Sequence, residues 1–423
     1  MTGGGVPRLA RIMAATLLVL ACAWLALACL ANGQSRARAA SEPWTALTWD
    51  PDNPQARSRL AEQFSGRHAT AADSQAAIDL ARAALTAGPL DGAALRVLGI
   101  EAQRAGDMRA AVRLMAASDR VTQRDSTAQL WLLDQAIRRG AYETAYAKAE
   151  VALRGAPAQA SLVFPVMRMG LKDPRALPPL LKRLEQRPQW REAFVADAFA
   201  HVESPEDARR LFLALRSSAA PPDESETGAF VRRLVADGAY AEAHDLWRSG
   251  VRSAAAAGVY GGDFRIHPGE APFNWRLTNR ADALAELAQA ADGGPALRVQ
   301  FSTASNARLA EQLLVLPPGV YRLHGQARAG MGGQPEQLAW RVTCAGRPGT
   351  LAEAGPAQGA AQDWGAFEAR FAVPPTGCEA QWLTLDSFAL DRIGVGEAWY
   401  RDIAITPGAG GGQAVADAGG KRS

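Results

Sequence analysis

The stretch LGIEAQRAGDMRAAVRLMAAS, residues 98 to 118, combines strong helix formers with small side chains at helical spacing. Its pattern returns at an interval of 34 residues, because Ala77, Ala111 and Ala145 are equally spaced. Small residues at such an interval let two antiparallel helices approach closely, and units of this kind stack on one another. The sequence therefore predicts a stack of helical hairpins. The same interval separates Ala84, Ser118 and Ala152, and also Phe64, Leu98 and Leu132.

The hairpin pattern resembles the tetratricopeptide repeat (TPR), with Gly106 and Gly140 at the inner turns. It departs from the family where Trp and Tyr are preferred, since those positions hold Leu95 and Ala102. We expect about five or six hairpins over residues 56 to 258, forming an all-α TPR-like solenoid. The resemblance implies that its groove binds a protein partner. A plain helical bundle is the alternative interpretation.

Prolines interrupt the repeat beyond residue 160 and predict one shorter, irregular hairpin there. The pattern then resumes, since GAYETA at residues 140 to 145 recurs as GAYAEA at residues 238 to 243. We therefore expect helical hairpins on both sides of the irregular one. The prolines are Pro174, Pro178, Pro179 and Pro188.

Residues 12 to 31 are uncharged, and about twenty apolar residues suffice for a transmembrane helix. We expect a single-pass anchor in a bacterial inner membrane, with residues 1 to 11 in the cytoplasm and the bulk of the chain in the periplasm. Arginines flank both ends of the segment, so the orientation depends mainly on its N-terminal position. Residues 32 to 55 are predicted to form a polar linker.

Two other interpretations of this segment stay open. The small residues around Ala37 to Ala39 and Ala26 to Ala28 offer cleavage sites for a signal peptide, and Cys29 offers a lipidation site. All three alternatives send the rest of the chain across the membrane.

The hydrophobic period shifts towards two from residue 259 onwards, which is typical of half-buried strands. Examples are ALRVQFS at residues 296 to 302, LAWRVTC at 338 to 344 and FEARFAV at 367 to 373. We expect about eight strands in an all-β domain over residues 259 to 407. Residues 280 to 294 fit either a helix or an irregular strand. Residues 408 to 423 are too poor in apolar residues to fold, and predict a disordered tail.

This C-terminal region resembles a jelly-roll sandwich of the carbohydrate-binding-module or galactose-binding-like type. The resemblance depends on GDF with PFNW near the start, LPPGVYRLHGQAR, VPPTGCEAQWLTLD, and the closing GEAWYRDIAI. In that family, aromatic rings and polar side chains on a sheet face or in loops hold the ligand. The resemblance also implies a structural calcium near the first strand, with Asp263 and Asp402 as weak candidates.

Two groups of side chains are the candidate glycan-binding residues. Outward alternation along one strand gives a polar ladder, and Trp382 with Asp386 offers a stacking ring beside a carboxylate. A solvated outer face with an incidental tryptophan is the alternative. The ladder consists of Arg322, His324, Gln326 and Arg328.

Four cysteines divide into two pairs, of which Cys22 and Cys29 lie in the apolar N-terminal segment. Cys344 and Cys378 lie in the predicted sandwich, and beyond an export signal they predict a disulfide. Two reduced, buried cysteines are the alternative.

The composition and motifs argue against several classes of function. A balance of 46 basic and 43 acidic residues leaves no electrostatic footprint for nucleic acid. The histidines lack metal-ligand spacing, and no nucleophile or phosphate-binding motif is present, so we expect no catalytic residues, no metal and no cofactor. Acidic residues of the sandwich leave a glycosidase pair as a minor alternative, and the candidates are Glu368, Glu379, Asp386 and Glu397.

The leading hypothesis is a non-catalytic, membrane-anchored scaffold of the bacterial envelope that binds a protein through its repeats. Its arrangement is similar to that of repeat proteins in surface polysaccharide assembly or export, which is an analogy. The alternative is a glycan-binding protein in which the repeats serve as a spacer, and a polysaccharide-modifying enzyme is a third.

Overall fold

The chain is described from a computed structural model, and it divides into two compact units, Met1–Phe194 and Val195–Ser423. The predicted helical region is therefore shared between the units, since the second contains the last helices together with the β-sandwich. The structure describes residues 8 to 122, 126 to 250, 258 to 265, 272 to 330, 337 to 355, 363 to 389 and 394 to 408.

Helix α1 (Arg8–Arg38) contains a 24-residue segment, Ala15–Arg38, long and apolar enough to cross a membrane, and its most apolar 18-residue stretch has a mean hydropathy of 2.1 and no buried residue. By length and composition this helix is able to cross a membrane or to serve as a signal sequence. It extends beyond the predicted span of residues 12 to 31. Of the predicted cytoplasmic N-terminus, residues 1 to 7 lie outside the described part of the chain.

The segment predicted as a linker, residues 32 to 55, is helical over most of its length. It holds the end of α1, helix α2 (Pro43–Trp49) and the start of helix α3 (Pro54–Phe64). The buried Ser35 hydroxyl donates to the carbonyl oxygen of Ala46 at 2.9 Å and accepts from Asn53 Nδ2 at 2.7 Å. Buried small residues let these three helices pack together, which a polar composition alone did not indicate.

The predicted period of 34 residues corresponds to paired helices. Ala77, Ala111 and Ala145 are fully buried on the second helix of three successive pairs, α3 with α4, α5 with α6, and α7 with α8. Gly106 and Gly140 have φ values of +83° and +71° in the turns, a conformation that favours glycine. The helices involved are α4 (Ala71–Ala87), α5 (Gly92–Arg104), α6 (Met108–Val121), α7 (Ser126–Arg138) and α8 (Tyr142–Gly155).

The proline-rich stretch, predicted to hold one shorter, irregular hairpin, contains short helices and 3-10 turns. Pro178 and Pro179 lie in the first turn of α10, where a missing amide hydrogen costs no intrahelical hydrogen bond. A further hairpin closes the helical region, with Gly238 at a φ of +77° in its turn. The remaining helices are α9 (Ala160–Met169), α10 (Leu177–Leu184), α11 (Arg191–His201), α12 (Pro205–Arg216), α13 (Glu224–Ala236) and α14 (Tyr240–Gly250).

The C-terminal part is an antiparallel sandwich of two sheets. The five-stranded sheet has the order β1-β5-β10-β7-β8, and the six-stranded sheet has the order β2-β3-β4-β11-β6-β9. The predicted strands are present, residues 283 to 289 form a strand, and short edge strands bring the total above the predicted eight. The strands are β1 (Arg276–Leu277), β2 (Asn279–Arg280), β3 (Ala283–Gln289), β4 (Pro295–Ser302), β5 (Ala307–Leu314), β6 (Gly319–Ala329), β7 (Leu338–Cys344), β8 (Thr350–Ala354), β9 (Gly365–Val373), β10 (Gln381–Ser387) and β11 (Val395–Pro407).

The core of the sandwich lies between the sheets and contains large aromatic side chains. Trp340 from one sheet packs edge-on against Tyr400 from the other, with ring centroids 5.5 Å apart. The predicted disulfide is formed, and it joins Cys344 at the end of β7 to Cys378 before β10. Since β7 and β10 are neighbours, the bond ties two strands of one sheet. The predicted tail lies outside the described residues, apart from Gly408.

Candidate functional site

The six predicted glycan-binding residues lie on both sheets of the sandwich. Trp382 and Asp386 are on β10 of the five-stranded sheet, whereas the ladder is on β6 of the six-stranded sheet. Because Leu323 and Leu383 both point into the shared core, the candidates project from opposite outer faces. They therefore form two groups. The ladder residues are Arg322, His324, Gln326 and Arg328.

The group on the five-stranded sheet is a hydrogen-bonded surface. Asp386 accepts hydrogen bonds from Arg308 Nε at 3.1 Å and from the Thr384 hydroxyl at 3.0 Å. Trp382 is half-buried and lies between Leu313 and Thr343 in the strand register. Its neighbours in the register supply neither a second aromatic ring nor a charged donor.

The six-stranded sheet carries a row of three side chains on its outer face. The Arg328 guanidinium lies 5.3 Å from the ring centroid of Trp364 and 5.5 Å from that of Trp399. Strand register causes this, because Trp399 on β11 is directly opposite Arg328 on β6, and Trp364 immediately precedes the residue of β9 that pairs with Ala327. All three side chains are half-buried, so each presents part of its surface to solvent.

Asp292, in the turn between β3 and β4, fixes one end of this row. Its carboxylate accepts from Trp364 Nε1 at 3.1 Å and from Arg401 Nη1 at 2.8 Å. Arg401 also donates to Gln326 at 2.8 Å, and its guanidinium lies 4.1 Å from the centroid of the Trp364 ring. The backbone amide of Gly294, and then Trp364 and Arg401, lower the pKa of Asp292.

Glu397 fixes the other end of the row. It accepts from Trp399 Nε1 at 3.0 Å, from Gln300 Nε2 at 2.9 Å and from Arg298 Nη2 at 2.7 Å. Burial alone raises the pKa of Glu397, but these three donors outweigh it and the pKa is lowered. Arg298 makes a second ion pair, to Glu286 at 3.0 Å, and lies 5.7 Å from the centroid of Trp399.

This arrangement has the chemistry of a fixed binding platform. The two indole rings have their N–H groups bonded to ionised carboxylates, so their orientations are set before any ligand arrives. A partly exposed aromatic ring accepts an apolar C–H surface, and a guanidinium edge offers several N–H donors to oxygen atoms. We refer to Trp364, Arg328 and Trp399 as the tryptophan row.

The two calcium candidates are close in the fold without forming a metal site in the described residues. The amide of Ile403 donates to Gly262 at 2.9 Å, which brings the chain at Asp263 near the chain at Asp402. Both carboxylates lie beside arginines, Asp263 at 3.5 Å from Arg265 and Asp402 at 3.9 Å from Arg401. Over the described ranges no group of three or more metal-ligating side chains occurs.

The acidic side chains considered for catalysis are spread over both sheets, with Glu368 on β9 and Glu397 on β11 of the six-stranded sheet and Glu379 in the connection before β10. Glu397 belongs to the six-stranded sheet and Asp386 to the five-stranded sheet, and each is paired with an arginine. They do not face one another across a cleft.

Sequence reasoning included Arg328 and Gln326 but missed the two tryptophans of the row. Alternation in GEAWYRDIAIT, residues 396 to 406, places Trp399 and Arg401 on the same outward face, so this signal was present. Trp364 and Asp292 lie in connections between strands, where hydrophobic periodicity gives no indication of direction.

Comparison with known proteins gives likeness of structure only. No family model matches this chain, and no curated protein matches it. The C-terminal sandwich is similar to carbohydrate-binding modules. A family 4 module is 14% identical, with a TM-score of 0.27, and the match covers 36% of this chain and 99% of that one.

Two further modules show the same degree of likeness. A family 61 module, solved in complex with β-1,4-galactotriose, is 17% identical with a TM-score of 0.23, covering 35% of this chain and 92% of that one. The family 11 module of a cellulosomal cellulase of Clostridium thermocellum is 9% identical with a TM-score of 0.24, covering 37% and 97%.

Proposed function

We propose that the outer face of the six-stranded sheet binds a glycan, and that the tryptophan row is the centre of this site. The observation that carries the proposal is the position of Arg328 between two partly exposed indole rings, at 5.3 and 5.5 Å from their centroids. Ring faces accept the C–H side of a sugar, while the guanidinium and Gln326 supply hydrogen bonds to its hydroxyl groups.

The ion pairs around the row support this proposal. Asp292 and Glu397 each hold one indole N–H, and arginines hold both carboxylates. Ordering a free side chain on binding costs about 0.5 to 1.5 kcal/mol, so side chains that are already fixed bind with a smaller entropic loss. The carboxylates have lowered pKa values, and the arrangement therefore persists at neutral pH.

The test is direct binding of the full chain, purified in detergent, to a panel of soluble polysaccharides. Isothermal titration calorimetry measures the affinity, and gel mobility in the presence of each polymer provides a second readout. We expect saturable binding to at least one polymer. Absence of binding across neutral and acidic polymers contradicts the proposal.

We further propose that α1 anchors the chain in a membrane. Large apolar side chains along α1 are exposed, among them Leu18 at 65% and Trp24 at 69%. Trp44 and Trp49 of the nearby helix α2 are also exposed, as is typical of aromatic residues at a membrane interface. Alkaline extraction of membranes tests the proposal. A chain anchored by α1 stays in the membrane pellet, whereas a chain from which this segment has been cleaved as a signal peptide is released.

The helical hairpins are proposed to bind a protein partner, as a scaffold does. A polar depression of about 490 Å³ supports this, because it is lined by the first helices of successive pairs, including Ser58, Arg59 and Arg96. Charge reversal at Arg59, which is 49% exposed, tests the proposal by pull-down from detergent-solubilised membranes. A partner captured equally by the wild type and Arg59→Glu places the contact elsewhere.

We propose that the chain acts without catalysis, holding a surface polysaccharide near membrane-bound machinery. The pairing of Glu397 and Asp386 with arginines on opposite sheets supports binding rather than hydrolysis. Incubation with each bound polymer, followed by measurement of new reducing ends, tests this directly. Release of oligosaccharides would establish the enzymatic alternative.

A further inference from the structure

We infer that the glycan bound by this face is an acidic polymer whose carboxylates contact Arg328 and the arginine pair Arg322 and Arg370. The inference rests on the proposed glycan-binding function and names the class of sugar. It follows from how positive charge is distributed along strands β6 and β9.

The three arginines near the tryptophan row differ in their ion pairs. Arg298 pairs with Glu286 and Glu397, and Arg401 pairs with Asp292. Within the described ranges Arg328 has no ion pair, although the Nε atoms of Arg328 and Arg298 are alike in being buried without a hydrogen-bond partner. An acidic ligand is the partner that suits such a guanidinium, because its planar fork binds a carboxylate through two parallel hydrogen bonds.

Glu397, which holds Trp399 beside Arg328, makes no ion pair with Arg328 in the described part of the chain. Glu397 already accepts hydrogen bonds from Arg298, Gln300 and Trp399. Those bonds use both of its oxygen atoms. Arg328 itself makes no ion pair within the described ranges, so its terminal donors can bind a group that comes from outside the fold.

A second concentration of positive charge lies further along the same two strands. Arg322 on β6 is directly opposite Arg370 on β9, and both side chains are exposed. Like charges directly opposite in a sheet destabilise each other, and among the described residues the pair has one ion-pair partner, Glu368, at 3.5 Å from Arg322. A bound anion relieves this repulsion.

Arg328 and Arg322 lie along the same strand, β6, with Arg370 opposite Arg322 on β9. Arg328 and Arg322 are six residues apart on the outward face of β6, which corresponds to roughly 20 Å along the strand. His324 and Gln326 lie between them on the same face. The spacing suits a chain that carries repeated carboxylates, such as a polyuronate, better than a single acidic sugar.

The test uses the full chain in detergent with polygalacturonate and with alginate, each compared with its carboxyl-reduced form. Isothermal titration calorimetry is performed at about 0.15 M ionic strength, so that long-range charge effects are screened. The expected result is at least tenfold tighter binding of one polyuronate than of its neutral counterpart. Equal affinity for both forms overturns the inference and leaves the proposed function intact. Failure to bind any of the four polymers overturns the inference, and the wider panel then decides the proposed function.

Substitutions locate the contact. Arg370→Gln is expected to remove most of the tenfold preference while retaining binding to neutral polymer. Arg328→Gln alters the proposed site itself, and it is expected to weaken binding of both forms, with the larger loss for the polyuronate. The matched control is Arg276→Gln, which removes the same charge from a side chain that is 61% exposed on the five-stranded sheet. If the control loses the preference to the same extent, the attraction is unspecific and the inference is wrong. If a variant fails to fold, the comparison of acidic and carboxyl-reduced polymers with the wild-type chain still tests the inference.

Discussion

The imidazole of His244 lies against the ring of Phe273, with centroids 5.2 Å apart and planes inclined at 67°. His244 belongs to α14, and Phe273 lies in the segment that leads into β1, so the contact joins a helix to the sandwich within the second unit. Trp247 packs on the same phenyl ring at 5.4 Å. A titratable group thus lies inside an aromatic cluster.

This contact predicts a pH-dependent stability of the second unit. Burial, with the nearby charge of Arg248, lowers the pKa of His244 below its ordinary value of 6.5. Because the unfolded state then binds the proton more readily, the free energy of unfolding falls as the pH drops below about 6.5. We expect a lower melting temperature of this unit at about pH 5 than at about pH 7, and a smaller difference in His244→Gln. His201→Gln is the control, since His201 is 60% exposed, and an unchanged slope in His244→Gln contradicts the assignment.

Trp399→Ala is expected to weaken glycan binding by about thirtyfold, since truncating a central anchor residue costs about 2 kcal/mol. The matched variant is Trp382→Ala, which removes a half-buried tryptophan from the other sheet and is expected to leave affinity unchanged. Titration calorimetry compares the two, with circular dichroism to verify the fold. Greater loss in Trp382→Ala would move the site to the five-stranded sheet.

Replacing Cys344 and Cys378 together by serine is expected to destabilise the sandwich by about 3 to 4 kcal/mol, because the bond closes a loop over a separation of 34 residues. Hydrogen exchange, followed by mass spectrometry, should show faster exchange in β7 and β10. The control replaces Cys22 and Cys29, which are free and exposed. Equal protection in both double variants would mean that the bond contributes little to stability.

Ala77→Leu is expected to destabilise the first helical pairs by about 1 to 3 kcal/mol, because Ala77 is fully buried in a cluster with Ala61 and Ala81. Ala72→Leu is the matched control, since Ala72 is exposed on the same helix. Denaturant unfolding of the full chain in detergent, monitored by helical circular dichroism, measures the difference. Similar midpoints for the two variants would indicate that close helix packing does not require alanine here.

The regular parts of the fold could be predicted from the sequence because their causes are local. Alanine recurs at positions 77, 111 and 145 because each helix pair needs a small buried residue at the same point. Glycine recurs at positions 106 and 140 because both turns need a positive φ. Residues 32 to 55 were predicted as a linker because residues such as Ser35 and Asn53 are polar. In the structure both residues are buried and hydrogen-bonded to each other.

The candidate site could be predicted only in part. Alternation showed that Arg328 and Trp382 point outward, but it does not reveal to which sheet each strand belongs. Trp399 lies beside Arg328 only because β11 pairs with β6, and no local pattern encodes that pairing. Trp364 joins them from outside any strand.

Hydrogen bonds fix the end of helix α1 to the first helical pair, since Ser35 is bonded to Ala46 on α2 and to Asn53 at the start of α3. In a chain anchored as proposed, the tilt and rotation of α1 in the membrane would set the orientation of the first helical pair. A change in the tilt of α1 within the bilayer would therefore also reorient the first helical pair.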